Sequence, residues 1–181
     1  MKASARHCSS RRRAARCAST SVENQKLDQA LERVNKTLTL APDGAVSMTL
    51  LLMRVSPDAG RIEWCSAGHD PAILYDVEKD EFVELDGIQL PLGRVEDVDY
   101  RLQSRDEFKS GQLIVAASDG VWTTRNDAGE EFGKQRLREL IRQNALRPAI
   151  QIGRELESAL TTFRGSEPMR DDATYVVVRR V

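Results

Sequence analysis

The sequence is poor in the residues that several large protein classes depend on. Aromatic residues make up only 5% of the 181 residues, and the three cysteines show no CxxC spacing. An odd, scattered set of cysteines argues against both a disulfide framework and a zinc site. No apolar run approaches the roughly 20 residues of a membrane helix, and there is no GxGxxG or P-loop. We expect a cytoplasmic protein that does not enter a membrane.

Basic residues are distributed unevenly. The net charge is -1, yet residues 1–22 hold six basic residues and no acidic one. Such a start is typical of an organelle transit peptide, a nucleic-acid arm or a disordered tail. No aromatic residue interleaves the arginine run at 11–13, which argues against base stacking and so against nucleic-acid binding. We interpret residues 1–22 as an atypical basic segment that is disordered or foreign to the fold.

Hydrophobic periodicity predicts strands in the middle of the chain and helices on either side. Three- and four-residue spacing predicts helices within residues 22–40, 130–146 and 147–163. Alternating or continuous apolar runs predict strands at 45–57, 61–67, 71–77, 82–85, 98–103 and 173–178. Consecutive strands followed by packed helices and closed by a strand indicate an α+β fold.

Two apolar runs border acidic residues. The apolar run 113–117 is followed by Asp119 and Gly120, and Asp171 and Asp172 precede the last strand. If the two strands are neighbours, Asp119 and Asp171 lie at one edge of a sheet, where magnesium or manganese takes carboxylate oxygens as ligands. A glycine beside Asp119 would leave its oxygen atoms unobstructed. The alternative is an ordinary Asp-Gly turn and an aspartate at a strand boundary.

Several motifs, in order, resemble one family. They are "SAGHDP", "LPLG", "AASDGVW", "EEFG" and "DDATYVVV", and together they are similar to the SpoIIE-type branch of the PPM metal-dependent serine/threonine phosphatases. The resemblance implies an α-β-β-α sandwich of antiparallel sheets flanked by helices. It makes residues 23–181 a phosphatase domain.

The resemblance also implies a mechanism and a site. Such enzymes hold two Mn²⁺ or Mg²⁺ ions, which activate a water molecule for attack on phosphorus, so no protein nucleophile is needed. By residue-to-residue match, Asp119 and Asp171 are metal ligands, and Gly120, Asp172 and His69 support the site. A role for Asp172 in capping the last strand is an equally good interpretation. His69 is interpreted as a turn residue whose ring is hydrogen-bonded locally. The implied substrate is phosphoserine or phosphothreonine on an anti-sigma-factor antagonist of a bacterial partner-switching pathway.

One family motif has no counterpart here. The pattern Asp-x-x-Gly-His-Gly should precede the first long helix, but the sequence has no aspartate before Asp28 and no glycine before Gly44. We therefore expect an N-terminally incomplete domain that holds one ion or none. A disturbed reading frame, a non-catalytic relative and a fragment completed by another chain are the three explanations. An incomplete sheet would expose an edge and favour self-association. The alternative function is a regulatory module that binds the partner without turnover.

Overall fold

The computed structural model describes residues 26–40, 47–56 and 60–181, and the basic segment 1–22 lies outside them. The helices are α1 (Leu27–Thr39), α2 (Gly133–Asn144) and α3 (Ala149–Arg164). The strands are β1 (Leu50–Ser56), β2 (Arg61–Ala67), β3 (Ala72–Asp76), β4 (Glu81–Leu85), β5 (Ile88–Gln89), β6 (Gln103–Arg105), β7 (Leu113–Ala117) and β8 (Tyr175–Arg179). None of the helices in these described residues is long and apolar enough to cross a membrane.

The helices and most strands lie where the periodicity predicts them, but the strand predicted at 98–103 is wrong. Only its last residue belongs to β6, which is Gln103–Arg105. Tyr100 is 1% exposed and packs with Val98 in an apolar cluster that includes Leu31. The apolar residues of 98–102 therefore serve as anchors in a core, and the alternating pattern came from that packing.

One compact unit of the chain contains α1 and the first sheet. β1 and β2 form the predicted antiparallel hairpin, with Leu50 opposite Ala67 and Ser56 opposite Arg61. On the other side of β2, β6 pairs antiparallel and β5 pairs parallel over two residues, the one exception to antiparallel order in the described sheets. α1 packs on this sheet because its side chains at four-residue steps face inward. The buried members of the core are Leu27, Leu31, Cys65, Ala67, Leu92 and Tyr100.

The other compact unit contains β3, β4, β7, β8, α2 and α3. Its strands pair antiparallel throughout, in the order β4-β3-β7-β8. α3 begins directly after Pro148, whose fixed φ suits a helix start. The helices pack by their apolar faces, and the large buried side chains on them are Leu137, Ile141, Ile152, Leu156 and Leu160. The α+β prediction is confirmed, and the order of strands sets the end of β7 beside the start of β8.

Candidate metal site at the ends of β7 and β8

Whether Asp119 and Asp171 lie at one edge of the sheet depends on the pairing of β7 with β8. Ala117, the last residue of β7, lies opposite Tyr175, the first residue of β8. In an antiparallel pair the end of one strand meets the beginning of the other. The segment after Ala117, which holds Asp119, and the segment before Tyr175, which holds Asp171, therefore leave the sheet at the same edge.

Ser118 holds these two segments together. Its backbone N–H donates to the oxygen of Thr174 at 2.8 Å, which extends the β7–β8 ladder by one pair. Its hydroxyl accepts the N–H of Thr174 at 2.9 Å and donates to the backbone oxygen of Asp172 at 3.1 Å. One serine thus satisfies backbone groups on the opposite turn that no strand partner satisfies. The turn before β8 is fixed to the end of β7 at two of its residues.

Gly120 allows the two turns to approach each other closely. It is buried in a 3-10 helix, Asp119–Val121, that follows β7 directly. A Cβ atom on residue 120 would lie 2.5 Å from the backbone oxygen of Asp172 and 2.9 Å from its carbonyl carbon. Such distances are far inside van der Waals contact. The prediction for Gly120 is open space around the Asp119 carboxylate, whereas the close contact in the structure is with the backbone of Asp172.

The short helix at Asp119 is held from its far end as well. The backbone oxygen of Asp119 accepts both the N–H and the hydroxyl of Thr123 at 2.9 Å. The hydroxyl of Thr124 donates to the oxygen of Gly120 at 2.6 Å. Threonine side chains commonly bond to the carbonyl four residues earlier in this way. The position of the Asp119 backbone is therefore determined on both sides.

Asp119 and Asp171 present carboxylates of the same kind. Both residues are exposed, and in each, Oδ1 accepts the N–H of the next residue, at 3.0 Å for Asp119 and 2.8 Å for Asp171. Within the described part of the chain, Oδ2 of each has no hydrogen-bond partner. Exposed carboxylate oxygens are ligands that hard divalent cations accept. In chemical type, the donors fit magnesium or manganese.

The number of ligands is smaller than the family's two-ion site needs. Among the described residues there is no group of three or more histidine, cysteine, aspartate or glutamate side chains that could hold a metal ion. Asp172, the third acidic residue, contributes its backbone oxygen to the Ser118 contact, and its carboxylate is exposed. Carboxylate oxygens together with several bound waters are the ligand set that Mg²⁺ usually takes in proteins.

His69 lies in the other compact unit, in the turn after β2. Its Nδ1 is 2.7 Å from the backbone oxygen of Asp70, and Ser66 donates its hydroxyl to the oxygen of His69 at 2.8 Å. Because a carbonyl oxygen only accepts, Nδ1 is the donor in this contact. These local contacts match the interpretation of His69 as a turn residue. Its support of a metal site stays a prediction.

Two residues that organise these regions were missed by the sequence analysis. Ser118 was treated only as part of a motif, since a small polar residue at a strand end carries no signal of its own. Asn35 is 1% exposed, accepts the N–H of Gly93 at 2.8 Å and donates to the oxygens of Val95 and Glu96. A signal for it existed, because Asn35 follows Leu27 and Leu31 at four-residue steps on the buried face of α1.

The sequence of this chain is similar to those of known proteins. Residues 4–181 match the sequence profile of a family described as stage II sporulation protein E, SpoIIE. The phosphoserine phosphatase RsbU of Bacillus subtilis strain 168 is 27% identical over 152 residues, which are 84% of this chain and 44% of RsbU.

Solved structures give the same fold. The SiaA-PP2C domain of Pseudomonas aeruginosa has a TM-score of 0.74 at 22% identity, over 85% of this chain and 61% of that one. The RsbU and RsbW domains of Rv1364c from Mycobacterium tuberculosis have a TM-score of 0.70 at 23% identity, over 87% and 43%. The fold is that of PP2C-type phosphatase domains. The chain spans less than two thirds of each of these three relatives.

Proposed function

This chain belongs to the SpoIIE family of metal-dependent phosphatases, and we propose that it removes phosphate from phosphoserine or phosphothreonine on a protein. The observation that carries the proposal is the pairing of Ala117 with Tyr175, which puts the Asp119 turn beside the Asp171 turn. Ser118 connects the two turns, because its hydroxyl donates a hydrogen bond to the backbone oxygen of Asp172 at 3.1 Å. The two exposed carboxylates on these connected turns supply oxygen ligands of the kind that a catalytic Mg²⁺ or Mn²⁺ takes.

We assign the metal-holding role to Asp119 and Asp171. A bound Mn²⁺ or Mg²⁺ supplies Lewis acidity, which polarises the phosphoryl oxygens and lowers the pKa of a bound water. The protein's own contribution is to orient the carboxylates, because each Oδ1 is tied to the N–H of the next residue. Gly120 and Asp172 act through the backbone contact that fixes the distance between the turns. With two carboxylates, one ion is the occupancy that we propose.

The proposed substrate is a phosphorylated regulatory protein. RsbU is a phosphoserine phosphatase, and one solved relative combines RsbU and RsbW domains in a single protein. Together with the motifs in the sequence, this supports an anti-sigma-factor antagonist of a bacterial partner-switching pathway as the phosphoprotein. Rates of hydrolysis of two peptides that differ only in phosphoserine or phosphothreonine measure the preference between these residues.

The experiment is Mn²⁺-dependent hydrolysis of p-nitrophenyl phosphate by the purified chain, beside Asp119→Asn. Asp106→Asn is the matched control, since Asp106 is 72% exposed and lies in the other unit. We expect turnover in the parent and the control, and a loss of about 100-fold or more in Asp119→Asn, since a catalytic ion contributes several kcal/mol. Equal rates in all three proteins would contradict the assignment of Asp119.

One observation favours a second candidate. Because no group of three metal-liganding side chains exists among the described residues, a module that binds the phosphoprotein without turnover is the alternative. It predicts binding of the partner with no metal-dependent release of phosphate, from a sample whose folding is verified by its cooperative unfolding.

A further inference from the structure

A small cavity lies beside the proposed metal site and is lined by arginines. Its volume is about 20 Å³, slightly more than the roughly 10–15 Å³ that one water molecule needs. It opens between the segment after the short helix and the segment between α3 and β8. The lining residues used below are Gly120, Arg125, Arg164, Arg170 and Asp171.

Two of the three arginines have no ionic partner in the part of the chain that the structure describes. Arg125 donates to Glu131 at 2.9 Å and is thereby neutralised. Within the described residues, neither Arg164 nor Arg170 forms a side-chain hydrogen bond or a salt bridge. Arg164 is half-buried at the end of α3, and Arg170 directly precedes Asp171. Two guanidinium groups that no described carboxylate neutralises therefore belong to residues that line the cavity, together with Asp171.

The segment that carries these arginines is fixed in place. Ser166 donates its hydroxyl to Oδ1 of Asp127 at 2.8 Å, and the N–H of Glu167 donates to the oxygen of Arg164 at 3.2 Å. Gly165 has a φ of 61°, and a Cβ there would lie 2.7 Å from Oδ2 of Asp127. The turn after α3 is thus docked on the loop before α2, so the backbone at Arg164 loses little entropy when a ligand binds.

We propose that Arg164 and Arg170 bind the carboxylate of an aspartate or glutamate in the phosphoprotein, next to the phosphorylated residue. Guanidinium groups bind carboxylates in a planar, two-pronged geometry. The cavity shares Gly120 and Asp171 with the turns assigned to the metal, so a group bound there belongs to a neighbouring residue of the substrate. This inference rests on the proposed function and adds the substrate's local sequence to it.

A structural role for the arginines makes a different prediction. Arg164 is the last residue of α3, where a positive charge stabilises the negative end of the helix dipole. If that were its only role, Arg164→Gln would lower the stability of the fold without altering the choice among substrates. The ratio of rates for two matched peptides separates the two roles, because a general loss of folded protein cancels from it.

The test uses pairs of phosphoserine peptides in which one flanking residue is glutamate in one peptide and glutamine in the other. The flanking position is varied from two residues before the phosphoserine to two residues after it. The quantity measured is the ratio of kcat/KM for the two peptides, in the parent, Arg164→Gln, Arg170→Gln and the double variant. Arg154→Gln is the matched control, since Arg154 is an exposed arginine on the same helix and does not line the cavity. Peptide binding, followed by fluorescence anisotropy, gives a second ratio that does not need turnover.

We expect the glutamate peptide to be preferred by about threefold to tenfold at one position, the range of a partly exposed charge-assisted contact. The ratio should fall to near one in the double variant and stay at the parent value in Arg154→Gln. No preference in the parent, or a preference that survives in the double variant, would overturn the inference. An equal fall for both peptides, in variants that unfold at the parent's temperature, would also overturn it, because the arginines would then contact a group that both peptides share. Absence of turnover in the parent would contradict the proposed function instead, and the binding ratio would still decide this inference.

Discussion

Ser118 and Asp172 are 54 positions apart in the chain, and the hydroxyl of Ser118 donates to the backbone oxygen of Asp172 at 3.1 Å. This bond joins the two motifs that carry the candidate metal ligands. Since Ser118 also accepts the N–H of Thr174 at 2.9 Å, a single side chain determines how the turn before β8 sits on the end of β7. Hydrogen bonds to the backbone of the turn before β8 therefore set the positions of the residues that carry the two carboxylates.

Ser118→Ala should weaken this connection without unfolding the protein. The variant loses two hydrogen bonds to the opposite turn, and we expect the free energy of unfolding to fall by about 1 kcal/mol. Affinity for Mn²⁺ should fall as well, because the two carboxylates are no longer held at one spacing. Urea unfolding and Mn²⁺ titration measure the two effects. Ser158→Ala, at an exposed position of α3, is the control, and equal behaviour of both variants would contradict the role given to Ser118.

Gly120→Ala should be more damaging than its size suggests. Its Cβ would meet the carbonyl of Asp172 at 2.5 Å, and a backbone atom cannot yield as a flexible side chain does. We expect a loss of about 1–3 kcal/mol in stability, typical of forced overpacking, together with loss of activity.

Gly153→Ala is the comparison for this effect. Its Cβ would meet the ring of Tyr175 at 3.2 Å, a side chain that can shift, and an alanine within a helix recovers some conformational entropy. Thermal unfolding of both variants should show a large decrease for residue 120 and a small one for residue 153. The reverse order would mean that the approach of the two turns is not tight in solution.

The sequence predicted the elements of the site better than it predicted their contacts. A continuous apolar run bounded by Asp119 and Gly120 predicted β7, and the neighbouring position of β8 was the condition on which the metal hypothesis depended. The pairing of Ala117 with Tyr175 meets that condition. The role of Gly120 was not predictable, because it depends on a carbonyl 52 positions later that approaches only after the strands have paired.

The wrong strand prediction at 98–103 also arose because contacts between distant residues cannot be read from the sequence. Residues 98–102 alternate as a strand does, yet Tyr100 is buried in the α1 core and its hydroxyl donates to the oxygen of Leu90 at 3.1 Å. Periodicity records which side chains face inward, and several backbone conformations satisfy the same pattern. Asn35 shows the opposite case, in which a polar residue occupies a core position since the loop at 93–96 supplies its hydrogen-bond partners.

Acid should destabilise the fold partly through Asp76. Its Oδ2 accepts the amide of Gln112 at 2.7 Å, and this bond, with smaller help from the N–H groups of residues 78 and 79, lowers the pKa of Asp76 below its ordinary value of 3.8. A pKa that is lower in the folded state contributes stability that is fully present above pH 3.8 and is lost as the pH falls through the folded pKa.

The check is urea unfolding of the parent and Asp76→Asn between pH 2.5 and pH 7, a range of about the width over which carboxylates titrate. The difference in stability between the two proteins should shrink toward low pH. Asp97→Asn, at an exposed position, controls for the removal of a carboxylate. A difference that stays constant across the range would show that the hydrogen bond from Gln112 does not favour the ionised form.

Cys65 should be inert toward thiol reagents in the folded protein. It is 0% exposed, and its Sγ is 3.4 Å from the backbone oxygen of Arg101. Burial, with the nearby charges of Asp28 and Glu32, raises the pKa of the thiol to about 11, so thiolate is scarce at neutral pH.

A chain with Cys8 and Cys17 changed to serine isolates this thiol, since the sequence has three cysteines. Iodoacetamide at pH 8, a little below the ordinary thiol pKa of about 8.5, should label it rapidly in guanidinium and very slowly in buffer. Equal rates in both solutions would show that the core around Cys65 is open.

The most direct test of the account is Mn²⁺-dependent release of phosphate from a phosphoserine peptide by the parent, Asp119→Asn, Asp171→Asn and the double variant. Both aspartates are exposed, so the variants should unfold at the parent's temperature. If the two carboxylates hold one ion, each single variant loses about 100-fold or more, and the double variant is no worse than either, because the residues act as a unit. Full activity in either single variant, or losses that multiply in the double variant, would contradict a shared metal site at the ends of β7 and β8.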